Sequence, residues 1–311
     1  MTKDIVNGIA ITSIIVAISI YMPIIGFFFV PFVPLPTLFY RAKLGRNTGA
    51  VIPIATIILM AIVGDGLSID IFILIELLIL GFSLSELFEI NVSIEKTVIY
   101  ACGIVLLTTT ISLFFYSSLS NHGMSSLISE YVAKNLEFTL SRYKEMGMPE
   151  ETIHMIDSSM EQIQYVLVRI IPALVIASTL LVAWMNLLMA KSIFLKKGLR
   201  YPDFGPLNRW KSPEFLVWGV IVTGIMVIIP NRAIKIIGIN CLIIALVIYF
   251  FQGIAIVTFF FEKKQLPKGL RVFLYSLIGI QQVLLFFIIG LGFFDVWLDV
   301  RKLSSNEKTL P

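Results

Sequence analysis

The sequence predicts an all-α polytopic transmembrane helical bundle of about nine spans, eight on the alternative count, with an extracytoplasmic amphipathic helical hairpin. Three observations lead there. The chain is 58% hydrophobic and only 14% charged, where a soluble domain carries about 25% charged residues, so most of its surface faces lipid; mean hydropathy is +0.93. Apolar runs long enough to cross a bilayer recur along its whole length. Basic residues gather between those runs rather than on one strip, so the net charge of +4 reads as the positive-inside bias of a membrane protein and not as a nucleic-acid surface.

The elements follow in order. The N-terminus has Lys3 and then an apolar run to Tyr21, with no small-residue cleavage site after it, which reads as an uncleaved first span. Residues 5–40 are about 54 Å long as one helix, too long for a single straight span. Pro23, Pro31, Pro34 and Pro36 interrupt them, and proline removes a donor and clashes with the preceding turn. Two short spans with a turn near Met22–Pro23 are favoured; one span plus a broken or re-entrant piece is the alternative. The further candidates are 49–64, 68–84, 97–117, 165–190, 214–230, 234–261 and 271–296.

Between the fifth and sixth of these spans in the pairwise scheme lies the polar segment 118–164. Leu127, Tyr131, Leu136, Leu140 and Tyr143 fall at near-helical spacing. Gly147 supplies a helix stop, and Pro149 with Glu150 and Glu151 a restart in the first turn of a second helix. The segment is an amphipathic hairpin that lies on the lipid surface or caps a cavity.

Charges orient the chain. Arg41, Lys43 and Arg46, the basic loop 191–213, and Lys263, Lys264, Lys268 and Arg271 fall on one side, the cytoplasm by the positive-inside rule. The hairpin and Gly64–Asp70 fall on the other. The expected location is the bacterial inner membrane, with the lipid bilayer as first partner.

Within the apolar runs, polar residues are the candidates for function. Glu76 interrupts FILIELLILG, where a carboxylate near the bilayer centre costs about 2.5–3.5 kcal/mol on insertion scales. Ser83 is seven residues on and shares its helix face, with Glu86 near the end. A polar face of this kind points into a bundle or to water; a structural carboxylate and a ligand or proton site are both consistent with it. Arg169 is the candidate partner, with snorkelling to the interface as its other reading. Asp65 and Asp70 flank the start of the same helix, as dipole partners or at the mouth of a site. Thr108, Thr109, Thr110 and Ser112 put four hydroxyls in one span, where hydroxyls often bond back to their own helix. Asn186, Asn240, Gln252, Gln281 and Gln282 are amides expected to bond between helices. Trp184, Trp210, Trp218 and Trp297 suit aromatic belts.

Other chemistry finds no footing. Cys102 and Cys241 are isolated in apolar runs, and His122 and His154 lack a ligand pattern, so neither a disulfide nor a metal site is expected. No phosphate loop, HExxH or G-x-S-x-G is present. The expectation is a non-enzyme without a cofactor.

PLPTLFYRAKLG, IIPALVIASTLLVAWMNLLMAK, FGPLNRWKSPEFLVW, YFFQGIAIV and GLGFFDVWLDVRK occur in that order. They resemble the YybS-like family of bacterial inner-membrane proteins. The residues that carry the resemblance are Pro34, Pro36, Gly45, Pro172, Asn186, Pro213, Trp218, Gln252, Gly253, Gly292, Asp295, Trp297 and Arg301. The N-terminal part is in turn similar to the substrate-binding components of energy-coupling-factor transporters. That similarity implies a six-helix core from 1–117 and 165–190, the 118–164 hairpin over a small-molecule site, the 191–213 basic cytoplasmic loop, three additional spans in 214–296 and a polar tail, 297–311. The match departs in two places. The Ala-x-x-x-Ala docking pattern is replaced by Ser13-x-x-x-Ala17 and a lone Gly8, and the C-terminal spans have no counterpart. The resulting expectation is a transporter-like protein with a small-molecule ligand held near Glu76, Ser83, Arg169 and Asp65; the alternative is a scaffold that assembles membrane protein partners of the cell envelope.

Overall fold

A computed structural model describes residues 2–63, 69–120 and 123–302. Asp65, His122 and the tail beyond 302 lie outside them. Among the described residues all regular structure is helical. Seven helices are long and apolar enough to cross a membrane, or eight when one bent pair counts as a span. The chain forms two compact units: Met1–Val168 with Ser178–Asp203, and Arg169–Ala177 with Phe204–Pro311.

In the first unit, α1 (Thr2–Tyr21) ends two residues before Pro23, and α2 (Pro23–Phe29), a 3₁₀ turn (Val30–Phe32) and α3 (Pro34–Leu44) follow. Proline is tolerated where a helix starts, because its missing N–H would be unpaired there anyway. Each proline therefore begins a new piece, and the pieces from Ile25 to Leu44 together have the length of one span. α4 (Arg46–Val63) and α5 (Ile69–Ile90) follow. α3 enters the unit deeply because two glycines make room. A Cβ on Gly81 would collide with the Pro34 carbonyl, and one on Gly49 would come within 2.5 Å of the Arg41 Cα. α5 is the most enclosed of the spanning helices. Val16, Val33, Met60, Leu74 and Leu78 form an apolar core around it.

α6 (Ile94–Ser120) leads to the hairpin, α7 (Met124–Glu145) and α8 (Glu150–Ser158). Gly147 adopts φ +76°. It closes α7 with N–H bonds from Met148 to Tyr143 and from Gly147 to Lys144, a Schellman stop that a glycine favours. Leu127 and Leu140 are buried, together with Val132. Gln164 ties the start of α9 (Met160–Lys196) to the Ser129 carbonyl of α7 at 3.0 Å. Phe39, Phe88, Phe194 and Tyr201 meet edge to face. Tyr201 donates to the Leu187 carbonyl at 2.9 Å, and burial pushes its phenol up.

The second unit contains α10 (Leu216–Ile228), α11 (Arg232–Lys263), α12 (Lys268–Ile280) and α13 (Gln282–Leu298). α10 has 13 residues. It measures about 20 Å, short of the roughly 30 Å hydrocarbon core. The predicted segment 271–296 is broken at Gln281, where the axes of α12 and α13 differ by 101°. Two of the segments expected as spans thus depart from a straight crossing. Pro213 and Pro230 bracket α10 and limit its length. α11 and α13 touch backbone to backbone. A Cβ on Gly253 would strike the Ile288 carbonyl, and one on Gly292 the Tyr249 carbonyl. Small residues permit such crossings in membranes, where dispersion between backbones takes over from the hydrophobic effect.

Candidate functional site

The site is built on α5 and α6. α5 presents Glu76 and, two turns on, Ser83, both buried. Ala101 and Val105 are buried on α6, and Thr108 and Ser112 continue their line at helical spacing. Leu107, Ile111, Phe114 and Phe115 are exposed on the other face. That split fixes the rotation of α6 and turns Thr108 and Ser112, with Thr109 beside them, toward Glu76. Thr108 Oγ1 lies 2.5 Å from Glu76 Oε2, and Ser112 Oγ lies 3.4 Å from Oε1. Thr109 and Thr110 donate to the carbonyls of Val105 and Leu106.

Chemically this is a carboxyl group set among hydroxyls. Arg169 is assigned to the second unit, where its carbonyl accepts from Asn240 Nδ2 at 3.0 Å. Asn240 Oδ1 also accepts from the Ala173 N–H at 3.2 Å. One amide thus bonds both backbone groups that an uninterrupted helix pairs with each other, beside Pro172. On the opposite side of α5 a small cavity is lined by Val16, Ile20, Met60, Leu74, Leu78 and Thr56, and is otherwise apolar.

A second constellation sits at the far end of α5. Arg41 is 1% exposed, and its guanidinium spans Glu86 (Nε–Oε1 2.8 Å) and Glu89 (Nη2–Oε2 3.0 Å) and donates to the Ser85 carbonyl. From sequence, Arg41 reads only as an orienting charge. The available signal was the Glu86–Glu89 pair, three apart on one helix face.

In the second unit, several residues of the resemblance converge. Asp295 and Arg301 form an ion pair at 2.8 Å, with both side chains fully buried. Asp295 also accepts from Gln252 Nε2 at 3.2 Å and from the Val300 N–H at 2.9 Å. Gln252 accepts from the N–H and hydroxyl of Ser212. Arg301 Nη1 donates to the carbonyls of Asn208 and Trp210. Sequence reasoning missed Ser212 and Asn208, which sit in a loop with no periodic signal.

The other residues of that set lie elsewhere. Pro34 and Pro36 are buried at the start of α3, and Gly45 caps its end at φ +82°. Asn186 donates to the Pro31 carbonyl at 2.8 Å. Pro213 and Trp218 are exposed, and Trp297 packs edge-on against Phe293.

Residues 10–296 match the family described as Predicted membrane protein (DUF2232). The chain is 22% identical over 314 residues to the Uncharacterized protein YybS of Bacillus subtilis (strain 168), covering 97% of this chain and 98% of that protein. No solved structure matches it.

Proposed function

The chain belongs to the family Predicted membrane protein (DUF2232), and from that premise we propose that this multi-pass bacterial membrane protein is transporter-like, with a small-molecule site on the α5–α6 face of its first unit. The observation that supports this most is Glu76: a buried carboxyl in an apolar stretch of its helix, supplied with hydroxyl partners and, among the described residues, no ion pair. Intramembrane ionisable residues are costly, and they are typically retained along substrate or ion pathways. Ser83 extends the polar line along the helix.

The basic loops support a cytoplasmic Arg41 end of α5 and an outer α7–α8 hairpin. On this reading the membrane is the inner membrane, and α10 and the α12–α13 pair complete nine crossings, α10 being accommodated by local thinning of the bilayer. The six-helix likeness to substrate-binding components is part of the same proposal. The protein binds and moves its ligand without transforming it.

Native mass spectrometry of protein gently extracted from its own membranes tests the reading. An added mass of a few hundred daltons, present in the wild type and lost in a folded Glu76→Gln variant, is the expected result. A chain that carries only lipid, or other envelope proteins in fixed ratio, overturns it and moves the assignment to a scaffold.

A further inference from the structure

The hydrogen count around Glu76 goes further than the position of its carboxyl. A threonine hydroxyl has one hydrogen and two lone pairs. Thr108 Oγ1 has three oxygens at hydrogen-bond distance: Glu76 Oε2 at 2.5 Å, the Val105 carbonyl at 2.9 Å and the Ile104 carbonyl at 3.0 Å. If Glu76 is ionised, all three are acceptors and compete for one hydrogen. Whichever wins, the others face Thr108 oxygen to oxygen. If Glu76 is a carboxylic acid, its own O–H donates to Thr108 Oγ1, and the Thr108 hydrogen goes to its helix carbonyls. Thr110 spends its hydrogen in the same way at 2.7 Å, and Thr109, also beside the carboxyl, has the Val105 carbonyl at 2.8 Å competing for its single hydrogen. The remaining hydroxyl, Ser112, is 3.4 Å from Oε1, too far to stabilise a charge by itself.

The surroundings agree. The charged side chains on the helices packed against α5 are Lys3 and Asp4 of α1, Arg41 and Lys43 of α3, Arg46 of α4, Glu95 and Lys96 of α6, and Glu161, Lys191 and Lys196 in the first-unit part of α9, which meets α5 at Phe88 through Phe194. Arg41 and Arg46 bond Glu86, ten residues and about 15 Å along α5 from Glu76. Lys43 pairs with Asp4. Glu95 and Lys96 open α6, about 18 Å or more before Thr108 along its axis. The nearer titratable groups of α6 are the thiol of Cys102 and the phenol of Tyr116, which stacks on Phe72. Neither supplies a positive charge.

We propose that Glu76 is a proton-binding site. At rest it holds a proton that it donates to Thr108 Oγ1, and it gives that proton to water when an aqueous path reaches the carboxyl, leaving a carboxylate and a hydronium ion. The inference deepens the transporter-like reading by naming the coupling ion, and it is tested without any ligand.

Infrared spectroscopy of the purified protein in lipid vesicles at pH 7 is the experiment. Solvated glutamates and aspartates are ionised there, so a carboxylic-acid C=O band reports a buried acid. The expected result is such a band in the wild type, lost in Glu76→Gln. Thr108→Val, which removes the acceptor but keeps the shape, moves the same band to higher frequency and serves if Glu76→Gln fails to fold. Absence of the band in the wild type at pH 7 overturns the proposal, as does a band that neither variant alters. Ligand mass in native spectra is a separate readout, so a failure here leaves the binding reading standing, and the reverse also holds.

Discussion

Two buried carboxyls divide this molecule. Asp295, in the second unit, accepts from a guanidinium, an amide side chain and a backbone N–H, and is fully enclosed. Glu76, in the first, is 7% exposed and has hydroxyls alone. Removal from water penalises both, but only one is compensated by a charge. Asp295 accepts three bonds, one of them from a guanidinium, which suits a group that holds the loop at Ser212 and the chain at Arg301 onto α11 and α13. Glu76 has unused capacity, which suits a group that exchanges its partner. The contrast is a general one: a buried carboxylate that already accepts a guanidinium, an amide and a backbone N–H has little left to offer a ligand.

The contrast can be broken most sharply at Arg301. Arg301→Ala strands a buried carboxylate, which costs about 3–5 kcal/mol. The variant should unfold at much lower denaturant concentration in detergent. Arg301→Met with Asp295→Leu should recover most of that loss, because replacing both charges removes the desolvation penalty. An Arg301→Ala protein as stable as the wild type would erase the distinction between the two carboxyls. Gly292→Val tests the scaffold behind Asp295. Its side chain has no room beside the Tyr249 carbonyl, so a loss of about 1–3 kcal/mol is expected, read from the same unfolding curves.

Tyr201 is a neutral comparison for both. Its phenol titrates above its ordinary value because it is buried. The stability this gives is present below the unfolded value of about 10 and is lost as pH rises through the higher folded value. Tyr201→Phe should cost about 1 kcal/mol at neutral pH, one hydrogen bond to the Leu187 carbonyl, and should soften the alkaline fall in melting temperature. Glu76→Gln should be the mildest, within about 1 kcal/mol of wild type in unfolding, because an amide keeps the shape and can still donate to Thr108. A larger loss would make Glu76 as structural as Asp295.

Much of this was legible in the residues. The long apolar runs, the proline-punctuated stretch after Tyr21 and the Gly147 stop correspond to helices and ends in the structure, since each rests on local backbone chemistry. Glu76 stands out because a lone carboxylate in an apolar run is conspicuous. Its partners were not legible: hydroxyls at 108, 109, 110 and 112 cover most of the helix circumference, and only packing selects those that face α5. Arg41 reads from sequence as an orienting charge alone, because its burial depends on Gly49 and Gly81, one on each neighbouring helix. The break at Gln281 has no proline to announce it, and Gly279, two residues before, sits in a run that reads as one apolar span.

The crossing of Gly253 and Gly292 has one more consequence. Neither glycine puts a side chain into the contact, so neither had rotamers to freeze when the helices came together. Nor does the contact draw on the expulsion of water, which lipid cannot supply. Warming, which reshapes the hydrophobic effect, therefore has little purchase there. As loops and ion pairs around it loosen, α11 and α13 should part last, and the final remnant of the second unit on heating should be this one pair of helices.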